Sequence, residues 1–215
     1  MDFSVVNLAL AAKLLLLLLI GMGPKIALVP FLEKTKHFDA ETQRAVGRRM
    51  VIVAVITALV LFAFGGLLMR LLHITGGAVA VAGGIILAIL AINMVTGQGK
   101  RPVEESLVAE DPAKIAIYPL AVPYLLNPVG MTILIVASDE VASVESIGLV
   151  LGMVLLVGAF DYWIFANIDK LAKRLNPTSL AISEVVFGVL LTAVAVQLTV
   201  TGLGLLGIIA PATTH

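Results

Sequence analysis

The sequence predicts an all-α, polytopic membrane protein whose six transmembrane helices form two inverted three-helix repeats, with the first and fourth helices broken. Three observations lead there. The 215 residues are 60% hydrophobic and only 13% charged, with a mean hydropathy of +1.10, a composition that belongs in a bilayer. The basic residues alternate sharply between the two ends of successive apolar runs. Finally, two apolar runs are interrupted by glycine or asparagine and proline at positions 104 residues apart, Pro24 and Pro128.

About 20 apolar residues are needed per crossing, which places helices at roughly 4–33, 47–70, 74–97, 113–137, 144–168 and 178–209. The first holds LLLLLLIGMGPKIALVPFL. Proline removes a backbone donor and glycine weakens a helix, so Gly21, Gly23 and Pro24 should divide this run into two half-helices. Irregular backbone in lipid must be covered by protein or face water. Residues 33–49 carry mixed charges after Asp39, an N-cap candidate, and should extend the second helix beyond the membrane. Residues 98–112 are polar enough to link a first repeat (1–97) to a second (113–215). The fourth run, IAIYPLAVPYLLNPVGMTILIVA, is expected to break at Asn127 and Pro128. Asp139, Glu140 and Glu145 make the following loop acidic. The N-terminal MDFSVVNLAL lacks the basic start and cleavage site of a signal peptide and reads as mature sequence.

The step of 104 also carries Asn93 to Gln197, Gly84 to Gly188 and Arg70 to Arg174. Eleven basic residues follow the first, third and fifth helices, against Arg70 alone on the opposite side. The positive-inside rule then puts those segments in the cytoplasm and both termini outside. Because each half has three helices, an odd number, the second half enters the membrane upside down. Paired interrupted helices in corresponding places of two halves point to the binding site of a transporter.

Zero net charge offers nothing to nucleic acid, and the absence of cysteine excludes disulfides and thiolate chemistry. The three histidines, His37, His73 and His215, fall in loops or at the terminus, so a buried histidine base is not expected. No phosphate-binding loop is present to support ATP drive. An intramembrane aspartate or serine enzyme, using Asp161, Ser138 or Ser183, is not removed by these arguments, nor is a non-transporting membrane protein.

At GPKIALVPFL, RAVGRRM, AGGIILAILAINM, YPLAVPYLLNPVGMT and FGVLLTAVAVQL, over nearly the whole chain, the sequence resembles the MarC family of bacterial and archaeal inner-membrane proteins. Some members are described as transporters of small neutral amino acids such as glycine and alanine, driven by an ion gradient; others keep the name of a multiple-antibiotic-resistance locus. The resemblance implies no cofactor beyond a coupling ion, Na+ or H+, and as partners the lipid bilayer and a small-molecule solute, with a homo-oligomer compatible. The family usually reads Asp-Pro-Ile-Gly-Asn at the first break, where this chain has Gly23, Pro24, Lys25, Ile26 and Ala27. At the second it usually reads Ala-Gly-Pro-Gly-Ala, against Asn127, Pro128, Val129 and Gly130 here, with Thr132 retained. Glu184 stands where the last helix often carries arginine.

The candidate substrate- and ion-binding residues are therefore Gly23, Pro24, Lys25, Asn127, Pro128, Gly130, Thr132, Asp161 and Glu184. Lys25 and Asp161 should both lie about 12 Å from the cytoplasmic end of their helices, counted at about 1.5 Å per residue, which makes them a candidate pair that Glu184 could join. A charge there is expensive and needs a partner, a water path or a task. Lys13 is expected to snorkel outward. Asn93 and Gln197 are expected to hydrogen-bond between helices, and the glycine pairs at 65–66 and 83–84, with Gly188, to form close-packing surfaces.

Overall fold

The structure is a computed structural model that describes residues 8–96, 111–141, 143–172 and 177–210. Those residues are helical almost throughout: α1 Leu8–Met22, α2 Pro24–Thr35, α3 Ala40–Leu72, α4 Gly76–Thr96, α5 Pro112–Ile115, α6 Pro128–Glu140, α7 Val144–Ala166, α8 Ile168–Ala172 and α9 Pro177–Leu205. Between α5 and α6 the chain runs through a wide-turned irregular segment, Ala116–Leu125. Among the described residues five spans, one of them α1 and α2 together, are long and apolar enough to cross a membrane, and a sixth forms if Pro112–Leu125 and Pro128–Glu140 count together, bent by 73°. A belt of exposed apolar side chains, including Ile52, Ile56, Phe64, Ile85, Ile89, Leu155 and Val189, covers the outer faces. Water would not tolerate so large an apolar surface; lipid does.

Local chemistry sets the helix limits. Asp39 caps α3 by accepting from the Thr42 amide at 3.2 Å, and Thr42 hydrogen bonds, side chain first, hold the Asp39 carboxyl below its ordinary range. The α3 helix extends over 33 residues, about 50 Å at 1.5 Å per residue, so its charged N-terminal turns project beyond an apolar layer of about 30 Å. It ends where His73 turns left-handed at φ 53° and the Ile74 amide reaches back to the Met69 carbonyl at 2.9 Å. Ser143 caps α7 through the Ser146 amide, as Asp39 caps α3.

Small residues decide how closely helices approach, because lipid gives apolar side chains no reason to leave it. The longest interface joins α4 to α9. A side-chain carbon on Gly84 would stand 2.8 Å from the Ala195 carbonyl oxygen, and one on Gly188 3.1 Å from that of Ala91. Gly65 and Gly66 of α3 lie against Ile135, Ser138 and Asp139, where the Ser138 hydroxyl accepts the Gly66 amide. These glycines are packing surfaces, as expected. The hydrogen bond expected of Gln197 is different: it donates to Thr201 on its own helix, at 3.4 Å, not across an interface.

The short α6 is the centre of the molecule. It packs on α1, α3 and α4, and Pro128, Val129, Gly130, Thr132, Ile133, Leu134 and Ala137 are buried. The other short helix after a break, α2, packs mainly on the irregular segment and more sparsely on α9. The linker expected at 98–112 falls outside the described residues except for Asp111 and Pro112, which cap and begin α5.

Candidate functional site

The two expected breaks exist. At the first, Gly23 alone is extended (φ −85°, ψ 160°) and Pro24 starts α2 at its first position, with no side chain capping the new N-terminus. Proline fits there because that amide lacks a helical partner anyway. A side chain on Gly23 would strike the Leu19 carbonyl. At the second, Leu126 and Asn127 are extended and Pro128 starts α6. Irregularity begins earlier than the sequence reading placed it. Tyr118 and Val122, each before a proline, already leave helical geometry, and both X–Pro bonds are cis. The prolines at 119 and 123 were the available signal, masked by the apolar residues around them.

The breaks meet. The backbones of Gly21 and Gly130 touch, and neither position could hold a side-chain carbon. The Asn127 amide donates to the Gly21 carbonyl at 2.9 Å, and its Nδ2 donates to the Ile20 carbonyl at 2.6 Å. Its Oδ1 accepts from the amides of Val129 and Gly130, at 2.9 and 3.3 Å. One buried asparagine thus satisfies the carbonyl end of α1 and the amide end of α6 together. At the second break these groups are therefore satisfied within the protein. Asn127, Pro128 and Gly130 form a closed seam there, because asparagine supplies both a donor and an acceptor and the glycine contact leaves no space. Thr132 is equally enclosed, its hydroxyl seated in the hollow of Gly83.

The first break differs. Gly23 is buried, but Pro24 is half-buried and Lys25 exposed. The Lys25 ammonium sits 5.2 Å above the Phe187 ring of α9. The expected Lys25–Asp161 pair is not formed. Asp161 is fully buried, and neither carboxyl oxygen has a hydrogen-bond partner. The helices end at Thr35 and Ala166, so the equal residue counts expected for the two are not found, and one side chain is exposed while the other is enclosed. The Glu184 side chain lies outside the described residues. Lys13 is exposed.

Asp161 can be located by its neighbours on α7. Gly158 faces Val55 of α3 and Met22 at the end of α1, while the Phe165 ring lies 5.1 Å from that of Phe31 in α2 and its backbone abuts Gly47 of α3. Asp161 stands between these levels, beside the first break and the start of α2. Sequence reasoning missed Phe31 and Phe165, which pin α2 to α7 and look like ordinary apolar residues in the chain. Among the described residues no group of three or more histidine, cysteine, aspartate or glutamate side chains could hold a metal ion.

The chain matches the model of the MarC family integral membrane proteins over residues 8–206. It is 28% identical over 184 residues to a UPF0056 membrane protein of Methanocaldococcus jannaschii, covering 85% of this chain and 90% of that one. A UPF0056 membrane protein of Pyrococcus horikoshii is 27% identical over 199 residues, with coverages of 90% and 96%. The UPF0056 inner membrane protein YhgN of Escherichia coli is 25% identical over 197 residues, with 92% and 96% covered. No solved structure matches the chain. With its match spanning all but the two ends of the sequence, the chain belongs to the MarC family of integral membrane proteins.

Proposed function

We propose that the protein is a secondary transporter of small polar solutes, with neutral amino acids as the substrate class and an ion gradient as the driving force. The reading is of a carrier and not an enzyme. One observation carries it: two interrupted helices meet at their breaks within the apolar core, Gly21 against Gly130. An anchor or scaffold gains nothing from interrupted spans, whereas carriers use them to form a site between halves. The first break supplies the open part of that site. The uncapped amides at the start of α2 carry partial positive charge and suit a carboxylate, Lys25 adds a cation nearby, and Asp161 adds a carboxyl on the opposite side.

We read the fold as an inverted repeat of 1–97 and 113–215, joined in the cytoplasm, with both termini outside. The 104-residue step supports this beyond the sequence. It relates the N-caps Gly23 to Asn127 and Asp39 to Ser143, and it exchanges the Gly84–Ala195 contact with the Gly188–Ala91 contact. Counterflow in proteoliposomes loaded with unlabelled amino acids, assayed against a labelled panel that includes glycine and alanine, tests the function. Accelerated uptake of at least one is expected, and none above empty liposomes would sink the reading. Cysteines introduced at Ser106 and Thr178 should resist an impermeant reagent added outside, and one at Ser143 should react.

A further inference from the structure

We propose that Asp161 is the proton-binding site of this carrier, holding its proton while buried as in this structure and releasing it when α2 moves off its seat. The proposal rests on the transporter reading and names its coupling ion.

The physical case begins with what surrounds the carboxyl. On α7 its buried neighbours are Val157, Gly158 and Phe165. On α3 the buried residues between the Gly158 and Phe165 levels are Met50, Val51 and Ala54, and on α1 Met22 lies one turn away. Among the described residues no hydrogen-bond partner reaches either carboxyl oxygen. An ionised carboxylate so placed has lost its water and gained nothing, and such groups neutralise instead. A sodium ion takes several oxygen ligands beside a carboxylate, and none of these buried side chains carries one. A proton needs only the carboxyl itself.

No built-in cation takes the place of that proton. On α3, Arg44 lies 3.7 Å from Asp169 of α8, while Arg48 and Arg49 are exposed. Lys13 of α1 and Lys25 of α2 are exposed, the latter over Phe187. On α7 and α8, Glu145, Tyr162 and Lys170 are exposed as well. None of these groups hydrogen-bonds to Asp161. Membrane spans retain ionisable groups of this sort in relays and coupling sites. The position gives the proton something to control, because Asp161 lies beside the break from which α2 departs. Loss of the proton leaves a charge that this packing cannot hold, so it favours a state in which water or Lys25 reaches the carboxylate. Binding a proton favours the state seen here. The two states differ in affinity for one proton, which is the requirement for coupling.

The test reads the proton directly. Infrared titration of the purified protein in lipid vesicles should show, at neutral pH, a protonated-carboxyl stretch that is absent from Asp161→Asn and retained in Asp161→Glu. Ordinary carboxyls are ionised there, so identical wild-type and Asp161→Asn spectra would overturn the proposal. In sodium-free proteoliposomes an imposed pH gradient should drive accumulation of labelled alanine by the wild type, and Asp161→Asn should fall to the level of empty liposomes. Full pH-driven accumulation by a folded Asp161→Asn variant would also overturn it. If the wild type shows no counterflow of any amino acid tried, the transporter reading fails, and the infrared arm still decides whether the proton is there.

Discussion

The two helix breaks share a proline and a register but not a structure. At the second, α5 and the irregular segment meet α6 at 73°, the residues from Leu125 to Gly130 are buried, and Asn127 bonds main chain on both sides of the junction. At the first, α1 and α2 still count as one 26-residue span, the new N-terminus has no side-chain cap, and the residue after the proline is an exposed lysine. The difference is between a break whose polar groups are satisfied by protein, a joint that fixes the core, and one whose new helix end has no side-chain cap and is followed by an exposed charge. In the transport reading proposed above, the second break is the joint and the first the working end.

The comparison breaks most severely at the glycine contact. Gly130→Ala or Gly21→Ala puts a carbon into the facing backbone, which cannot shift as a flexible side chain could, so destabilisation of about 3 kcal/mol or more is expected. Thermal unfolding of the detergent-solubilised protein, followed by loss of the monodisperse species, measures it. Gly148→Ala is the control: nothing lies within 4 Å of a carbon added there, and a helical alanine should stabilise by about 0.5–1 kcal/mol. Equal behaviour of the two variants would mean that the breaks do not touch.

Asn127→Ala comes next. It removes an N-cap and leaves the Ile20 carbonyl without its donor, together about 2–4 kcal/mol. Asn127→Asp keeps the acceptor and loses the donor to Ile20, so it should fall between alanine and wild type if the side chain seals both helices. An aspartate variant as stable as wild type would show that only the cap on α6 matters.

Much of this was legible in the chain. Hydropathy located the spans, proline and glycine located the breaks, and Asp39 marked the start of α3, because these signals depend on local backbone chemistry. Direction around the helix was not legible. In a soluble helix the apolar stripe names the inner face, but a membrane helix is apolar on every side, so nothing in α2 or α7 told that Lys25 faces outward while Asp161 is enclosed. The meeting of Gly21 with Gly130 and the double role of Asn127 depend on packing between segments more than a hundred residues apart.

Asp161→Leu should move stability in the other direction. Removing a buried carboxyl that has no hydrogen-bond partner and filling the space with methyl groups should stabilise by about 1–3 kcal/mol. A higher unfolding temperature together with lost pH-driven accumulation of alanine would identify the residue as one kept for work at a cost in stability. Destabilisation by leucine would instead point to a polar partner of the carboxyl that matters for the fold.

The smallest stability effect is expected at Lys25, and it sharpens the comparison most. The side chain is exposed and its contact with Phe187 is of the kind that contributes about 0.5–1 kcal/mol at the surface, so Lys25→Met should unfold within about 1 kcal/mol of wild type. If the first break is the working end, that variant should nevertheless raise the half-saturating concentration of labelled alanine in counterflow, because the cation nearest the uncapped α2 amides is gone and a carboxylate is held by those amides alone. Lys25→Arg keeps the charge and should recover most of the affinity. Unchanged counterflow in Lys25→Met would detach the lysine from the site and leave the first break with its amides and Asp161. A strong loss of stability would mean that this break is a joint like the second, and that the distinction between the two does not hold.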